Sequence, residues 1–259
     1  CSVQINSQVM ILGIWLAERG WIPDFLLRIA VKSISKARIK NSNGFSEKLS
    51  VLNSLKDGPI AESTPSANKQ HYEVPTAFFE KVLGSKLKYS CSLFNNNQKS
   101  LNDAETEMLE TYIERAEIRS KQEILDLGCG WGSFSLYAAQ KFPNSNFTAV
   151  SNSDDQINFI KSKAKELGIT NLLALKQDMN QLNLKNNFDR IVSIEMFEHM
   201  RNYKNLLKRL SNLMVEDGKL FIHVFCHKQS AYLYEIKNER DWMTKYFFTG
   251  GIMPSKDIF

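Results

Sequence analysis

The sequence has little cysteine, little net charge and no long hydrophobic run. Its 259 residues contain four widely spaced cysteines and no CxxC pair. Disulfides are therefore disfavoured, and reduced thiols in a cytoplasmic setting are expected. No apolar stretch approaches the length of a membrane span. The net charge of +5 permits anionic partners without requiring them.

Other absences narrow the function further. The chain has no internal repeat, no low-complexity tract, no Asn-Pro-Pro-Tyr-type segment for a flipped base and no dense basic stripe. Nucleic-acid methylation and a nucleic-acid partner are therefore disfavoured. Hydrophobic residues make up 43% of the chain and charged residues 24%. This composition is ordinary for a globular protein that buries a core without stabilising disulfides or metals.

The N-terminal part reads as a helical appendage. Residues 9–40 have a helical, basic pattern, which predicts either an apolar stripe packed on the main domain or a peripheral contact with anionic lipid; packing is favoured. Residues 56–70 have the composition of a linker. The chain opens on Cys1 and stops soon after a Gly-Gly turn, so we expect a fragment whose C-terminal part is missing.

From residue 71 onward the pattern predicts an α/β fold with a parallel sheet covered on both faces. A helix is expected over 102–119, capped by Asn102 or Asp103, and short apolar strands then alternate with helices. The predicted strands are Glu123–Leu127, Asn146–Val150, Leu172–Lys176, Phe188–Ile194 and Lys219–Phe225, and the helices are 133–142, 154–167 and 202–214. The domain boundaries are thus 1–70 and 71–259.

A glycine-rich loop follows the first predicted strand. The run Asp126-Leu127-Gly128-Cys129-Gly130-Trp131-Gly132 leads into a helix. Glycines let the backbone turn sharply and approach a ligand without a Cβ in the way, and ligands of open parallel sheets lie beyond the carboxyl ends of the strands. The alternative is a tight strand-to-helix turn without a ligand.

The spacing of this loop favours S-adenosylmethionine over a dinucleotide. A dinucleotide loop reads GxGxxG with an acid about twenty residues on, whereas this loop reads GxGxG and the second strand ends without a carboxylate. Asp126 can bind the methionine ammonium or order the loop. Asp178, beyond the third strand, can accept from adenine N6, or else is a solvated loop carboxylate.

An acid–imidazole cluster follows the fourth predicted strand. Helical spacing would place Glu195, Glu198 and His199 on one face. Methyl transfer to an amine or an alkene needs a base, and a histidine or a desolvated glutamate serves near neutral pH. One carboxylate could instead balance a cationic ligand, or the acids could only begin a helix.

Several separated motifs resemble the cyclopropane-fatty-acid synthase family. They are 125–132, 195–200, Lys88-Tyr89-Ser90-Cys91, His71-Tyr72-Glu73-Val74-Pro75, Phe225-Cys226-His227-Lys228 and Tyr246-Phe247-Phe248-Thr249-Gly250-Gly251. The plant amine-methylating branch, the coclaurine N-methyltransferases, is the nearest likeness. The resemblance implies a class I methyltransferase fold, a Rossmann-like parallel sheet.

The resemblance also implies residue roles. The cofactor would be held by Tyr89, Ser90, Asp126, Gly128, Gly130, Gly132, Ser151, Asn152, Gln156, Asp178 and Met179. In the amine branch, Glu195, Glu198 and His199 would hold and deprotonate the substrate amine. In the cyclopropane branch, Cys91, Glu198 and His223, with the backbone of Phe225, would bind a bicarbonate that acts as base. That branch also uses a tyrosine beyond the end of this chain.

The partner predicted from these roles is a small amine or an unsaturated phospholipid. Amine methylation is favoured, phospholipid modification is the alternative, and a non-catalytic S-adenosylmethionine-binding protein is a third reading. No metal is expected: along a strand His223 and His227 would point one way and Cys226 the other, and no second cluster adds ligands. The sequence does not predict an oligomeric state.

Overall fold

The computed structural model describes residues 7–40, 45–62, 75–95, 100–185, 187–236 and 241–259. The helices are α1 Ser7–Glu18, α2 Asp24–Lys40, α3 Phe45–Ser54, α4 Thr76–Val82, α5 Leu101–Arg115, α6 Ser133–Lys141, α7 Asp154–Glu166, α8 Tyr203–Ser211 and α9 Trp242–Tyr246. The strands are β1 Glu123–Leu127, β2 Asn146–Ser151, β3 Leu172–Lys176, β4 Phe188–Ile194, β5 Met214–His223, β6 Tyr232–Leu233 and β7 Ile252–Met253.

Five strands form one parallel sheet in the order β3-β2-β1-β4-β5. The central strand β1 is an unbroken apolar run apart from Asp126, and Ile124, Leu125 and Leu127 are fully buried, as a strand covered on both faces requires. Strand order reverses between β1 and β4, so the loops after these two strands diverge and leave a crevice for ligands. The predicted α/β fold with a parallel sheet is confirmed.

Each face of the sheet has its own core. On one face α5 and α6 contribute Leu109, Tyr112 and Phe134 to an apolar cluster. The larger apolar cluster lies on the other face of the sheet and includes Leu206 and Leu210 of α8. Because the two clusters hold β1 and β4 from opposite sides, the carboxyl ends of these strands form a rigid base for the site.

Some predicted boundaries are wrong. The helix expected over 102–119 is α5, and its N-cap is Ser100, whose hydroxyl accepts from the amide of Asp103 in a reciprocal capping box. Asn102 instead accepts from the amide of Ser85 at 2.7 Å. The last strand of the sheet is 214–223 rather than 219–225, because α8 ends early and the chain pairs with β4 from Met214 onward.

The N-terminal basic pattern forms two helices, α1 and α2, that leave most of their large apolar side chains in solvent. Val9, Leu12, Phe25 and Ile29 are each more than half exposed. The favoured prediction, a stripe packed on the main domain, is therefore wrong for these residues. No helix in the described part of the chain is both long and apolar enough to cross a membrane.

Residues 56–62 are not a free linker. Ile60 and Ala61 are buried in the larger core cluster together with Val51 and Leu55 of α3. The amide of Arg201 donates to the carbonyl of Ile60 at 2.7 Å, so this segment is fixed to the turn before α8. Residues 63–70 and the predicted boundary at 71 lie outside the described residues, and the division into two domains stays a prediction.

Candidate active site

The glycine loop turns as the sequence predicts and is fixed to the neighbouring strand. The amides of Gly128 and Cys129 both donate to the carbonyl of Val150 at 3.0 Å. Gly128 has φ +81° and Gly130 has φ +54°, conformations that side chains rarely adopt. A Cβ on Gly128 would lie 2.5 Å from Met196 Cγ, whereas one on Gly130 would enter open space. Gly130 therefore faces the crevice.

Asp126 lies buried behind this loop. Its carboxylate accepts a short hydrogen bond from the Ser135 hydroxyl on α6. Burial raises the pKa of Asp126 to about 7, and the Ser135 contacts only partly offset that. A cationic ammonium bound at this carboxylate would restore its ionised form, which matches the predicted role.

The end of β2 carries a polar pair aimed into the crevice. The Ser151 hydroxyl donates to Gln156 Oε1 at 2.6 Å, and Ser153 caps the helix on which Gln156 lies. Asp154 and Asp155 lie in the first turn of α7, after this cap. Gln156 is buried, and its Nε2 has no hydrogen-bond partner. That donor is available to a ligand.

Beyond β3, Met179 lines the crevice but Asp178 is occupied elsewhere. Asp178 Oδ1 accepts from the amide of Asn180 at 2.7 Å and so caps a short 3₁₀ turn. Asn180 also exchanges two hydrogen bonds with the backbone of Ala61, at 3.1 and 3.0 Å. Since Ala61 and Glu62 line the crevice, the segment that was predicted to be a linker forms one of its walls.

Two adjoining cavities make up the crevice. The smaller, about 80 Å³, is lined by the ends of β2 and β3 and includes Ser151, Asn152 and Met179. The larger, about 640 Å³, includes Tyr89, Ser90, Cys91 and Asp126. Gly128, Gly130, Gln156, Glu195 and His199 line both cavities, so one elongated ligand can occupy the smaller cavity and extend into the larger.

Unpartnered polar atoms show that this crevice is built for a ligand. The Ser133 hydroxyl, the indole N–H of Trp131 and Gln156 Nε2 are buried without a hydrogen-bond partner, and all three residues line the larger cavity. Leaving such groups unpaired costs about 1–3 kcal/mol each. A nucleoside-sized ligand with polar edges would satisfy them, so the residues present fit S-adenosylmethionine.

The loop before α5 forms the opposite wall. Lys88 is 5% exposed and donates to the carbonyl of Ser90 at 2.6 Å. Burial lowers the pKa of Lys88, and the charges of Glu195, Cys91 and Glu105 partly offset this effect. Glu105, fully buried on α5, accepts from three amides of this loop, those of Gly84, Lys86 and Lys88. The carboxylate therefore fixes the path of the loop that carries Tyr89, Ser90 and Cys91.

A strained pair, Cys91 and Glu195, meets at the end of β5. Both have left-handed backbones, φ +52° and +53°. The Cys91 sulfur lies within 4.8 Å of a Glu195 carboxylate oxygen, and burial, followed by the effect of Glu195, raises the pKa of the Cys91 thiol to about 11. Glu195 Oε1 lies 3.9 Å from His223 Nδ1, and the Tyr112 hydroxyl lies 3.1 Å from the same nitrogen. Burial lowers the pKa of His223, so its imidazole is neutral near pH 7.

The three residues of the acid–imidazole cluster do not share a helix face. Glu195 is left-handed and only a 3₁₀ turn, Phe197–His199, follows it. The helical-spacing prediction is therefore wrong. Glu195 and His199 line both cavities, whereas Glu198 is fully buried behind them: its Oε1 accepts from the amide of Phe225 at 2.9 Å and its Oε2 has no partner. Burial raises the pKa of Glu198 to about 8.

Aromatic rings close the far end of the larger cavity. Phe248 stacks on Tyr234, with centroids 5.1 Å apart and planes at 17°, and on His199, at 5.5 Å and 22°. Phe225 and Phe247 contact Phe248 edge-on. This aromatic wall, Phe225, Tyr234, Phe247 and Phe248, lines the cavity next to Glu195. The motifs at 225–228 and 246–251 contain Phe225, Phe247 and Phe248, whereas Tyr234 lies outside both motifs.

The predicted alternation of His223, Phe225 and His227 along one strand is wrong, because β5 ends at His223. His227 Nδ1 accepts from the amides of Gln229 and Ser230. Residues 71–74 of the motif at 71–75 lie outside the described residues. Cys91, Cys129 and Cys226 are free thiols.

Comparison with known proteins identifies relatives along most of the chain. The mycolic acid cyclopropane synthetase model matches residues 61–258. (S)-coclaurine N-methyltransferase of Thalictrum flavum subsp. glaucum is 41% identical over 250 residues, covering 93% of this chain and 69% of that protein. Cyclopropane-fatty-acyl-phospholipid synthase of Escherichia coli (strain K12) is 30% identical over 189 residues, covering 72% of this chain and 46% of that protein.

Solved structures agree. A coclaurine N-methyltransferase bound to N-methylheliamine and SAH matches with a TM-score of 0.88 and 34% identity, over 95% of this chain and 73% of that one. A mycolic acid cyclopropane synthase complexed with SAH and CTAB matches with a TM-score of 0.63 and 22% identity, over 76% of this chain and 71% of that one. The second match supports the fold alone.

Proposed function

The chain belongs to the mycolic acid cyclopropane synthetase family and is an S-adenosylmethionine-dependent methyltransferase, and we propose that its acceptor is the nitrogen of a small aromatic amine. The observation that carries this proposal is the aromatic wall, which lies beside Glu195 and His199 in the larger cavity. Stacked rings bind a flat aromatic ligand, and a carboxylate beside them binds its amine.

We propose that the crevice holds the cofactor through the residues named from the sequence. Gly128 and Gly130 would line it, Asp126 would face its ammonium, Ser151, Asn152 and Gln156 its ribose, and Met179 its adenine. Tyr89 and Ser90 would close the other side. S-adenosylmethionine, when bound, supplies an electrophilic methyl group. Asp178 contributes by shaping the turn below Met179, since its Oδ1 is already bonded to Asn180.

The acceptor amine needs a partner for its positive charge and a base for its proton. Glu195 and His199, which face the cavity, would contact the amine directly, and His199 is held parallel to Phe248. Glu198 lies one layer behind and holds the amide of Phe225. Positioning the nitrogen in line with the methyl group supplies much of the rate, and the aromatic wall excludes water.

The relatives support an amine over a lipid. Pavine N-methyltransferase of Thalictrum flavum subsp. glaucum is 34% identical over 93% of this chain, and the similar coclaurine N-methyltransferase structure holds N-methylheliamine and SAH. The cavity of about 640 Å³ suits a drug-sized molecule. Contact of α1 and α2 with a lipid surface, and bicarbonate at Cys91, Glu198 and His223, belong to the phospholipid alternative.

The proposal is tested by supplying labelled S-adenosylmethionine with a panel of isoquinoline-type amines and with vesicles of unsaturated phospholipid. Label in the amine product, lost when Phe248→Ala removes the stacking ring, supports amine methylation. Label extracted with the lipid would replace it with the phospholipid alternative. Binding of the cofactor without transfer to either class would contradict both.

A further inference from the structure

Three side chains of different chemistry converge at the base of the larger cavity. The Cys91 sulfur, a Glu195 carboxylate oxygen and a His223 imidazole nitrogen all lie within 4.8 Å of one another. They come from the loop before α5, the turn after β4 and the last residue of β5. No motif spacing connects positions 91, 195 and 223, so the sequence gives no sign of this trio.

The backbone holds two members of the trio in place. Cys91 and Glu195 each adopt a left-handed conformation that costs about 1–2 kcal/mol for a residue other than glycine. The Glu195 amide also donates to the carbonyl of His223 at 2.7 Å. Strain of this kind persists where surrounding structure enforces it, commonly at ligand sites. Here it directs the thiol and the carboxylate toward the same imidazole.

We propose that Cys91, Glu195 and His223 bind a thiophilic divalent cation of the Zn²⁺ type, which blocks the acceptor end of the cavity. Thiolate, imidazole and carboxylate are the ligands that Zn²⁺ prefers, and three protein ligands leave a fourth position for water. On binding, the thiol proton leaves for solvent and the sulfur takes the cation in its place. The Tyr112 hydroxyl at His223 Nδ1 fixes the orientation of the imidazole before the cation binds.

One neighbouring charge opposes the cation. Lys88 is buried in the same wall, with its Nζ on the Ser90 carbonyl and 5.0 Å from the centre of the Tyr112 ring. Its ammonium repels a cation placed among Cys91, Glu195 and His223. The charge of Lys88 therefore tests where the cation binds. The neutral Lys88→Met variant should bind a cation at this trio more tightly, whereas the affinity for a cation bound elsewhere on the chain should not change.

The test measures Zn²⁺ binding to the whole 259-residue chain by equilibrium dialysis, without cofactor or acceptor. All variants carry Cys1→Ser, since Cys1 lies outside the described residues. Loss of an outer partner alone weakens metal sites by about 10–100-fold, so Cys91→Ser and His223→Gln should each weaken binding at least about tenfold. Cys226→Ser, which removes an exposed thiol that does not line the cavity, should leave affinity unchanged.

Two further measurements leave all three proposed ligands, Cys91, Glu195 and His223, in place. Cd²⁺ added to the Cys1→Ser, Cys226→Ser chain should produce a near-ultraviolet thiolate-to-metal band, and Mg²⁺, which prefers oxygen ligands, should neither bind nor compete. Absence of Zn²⁺ binding, absence of the Cd²⁺ band, or equal affinity in Cys91→Ser would overturn the proposal. Because no acceptor is present, these outcomes are independent of whether the enzyme methylates an amine.

Discussion

At the scale of single residues, burial decides what each carboxyl group of the site can do. Asp126 and Glu198 are both buried with raised pKa values, about 7 and about 8. Asp126 has a hydroxyl partner and faces the cavity, whereas Glu198 leaves one oxygen without a partner. Glu195 is partly exposed, and its Oε1 lies 3.9 Å from His223 Nδ1. Three acids in one crevice therefore have three different chemical environments.

Glu198→Gln should lower turnover at least about tenfold while cofactor affinity stays near wild type, because the buried carboxylate holds the amide of Phe225 behind Glu195 and His199, a hydrogen bond to a charged group contributes about 1.5–3 kcal/mol, and Gln keeps the shape. Glu198 is neutral below its raised pKa and ionises as pH rises through about 8. If its carboxylate is the form required, kcat/KM should rise with pH up to about 8 and this limb should vanish in the variant.

The measurements are steady-state kinetics across pH and calorimetric titration with S-adenosylhomocysteine. The exposed Glu216 of β5 offers a matched control, and Glu216→Gln should change neither. Equal loss of turnover and cofactor affinity in Glu198→Gln would mean that Glu198 has a structural role only.

Gly130→Val should abolish cofactor binding, since the Cβ position is open space in the crevice that the ligand needs. Gly168 is the matched control: its φ of +67° and open surroundings resemble those of Gly130, but it follows α7 away from the crevice. Both Val variants should lose about 1–2 kcal/mol of stability from backbone strain. Calorimetric measurement of cofactor binding distinguishes the two variants. Normal binding in Gly130→Val would refute this placement of the cofactor.

At the scale of elements, the site depends on how α5 holds the loop in front of it. Glu105 accepts from the amides of Gly84, Lys86 and Lys88, and a Cβ on Gly84 would lie 2.6 Å from its carboxyl carbon. Leu87 and Cys91 in the same loop are left-handed. A buried carboxylate on a helix therefore stabilises a strained loop that carries cofactor and substrate contacts.

Glu105→Gln should destabilise the fold by about 1–3 kcal/mol, because one carboxylate oxygen that accepts from backbone N–H groups is replaced by an NH₂ donor that faces them. The Michaelis constant for the cofactor should rise more than kcat falls, since Tyr89 and Ser90 lose their fixed position. Thermal unfolding and kinetics measure the two effects. Glu114→Gln, exposed on the same helix, is the control; if both variants behave alike, Glu105 does not position the loop.

At the scale of the whole molecule, we expect the N-terminal part to divide at about residue 45 rather than at the predicted 71. Helices α1 and α2 leave their apolar residues exposed, whereas α3 and the segment up to Ala61 share the larger core. Residues 58–62 also connect two parts of the site, since Ala61 bonds Asn180 and the Asn202 side chain donates to the carbonyl of Gly58. This segment couples the adenine side to the turn that carries His199.

A chain that begins at residue 45 should therefore keep its fold and bind the cofactor, whereas one that begins at residue 63 should lose both. Removing Val51, Leu55 and Ile60 from the core costs about 1.5–3 kcal/mol for each side chain, a large part of the stability of a typical domain. Circular dichroism, thermal unfolding and cofactor titration compare the two. Equal behaviour would restore the predicted boundary at 71.

The sequence by itself determined the parallel sheet and the cofactor loop. The mainly apolar runs 123–127, 172–176 and 188–194 match β1, β3 and β4, because strands of a parallel sheet are rich in apolar residues. Gly128 and Gly130 form the predicted sharp turn, with positive φ. These features depend on local pattern, so they can be read along the chain.

Only the tertiary structure decided the chemistry of the crevice. The separation of Glu195 from Glu198, the trio of Cys91, Glu195 and His223, and the aromatic wall all depend on contacts between residues far apart in sequence. Helical spacing failed at 195–199 because the Glu195 amide is held by the carbonyl of His223 in the next strand. A hydrogen bond to a distant strand overrides local periodicity, and no local pattern records it.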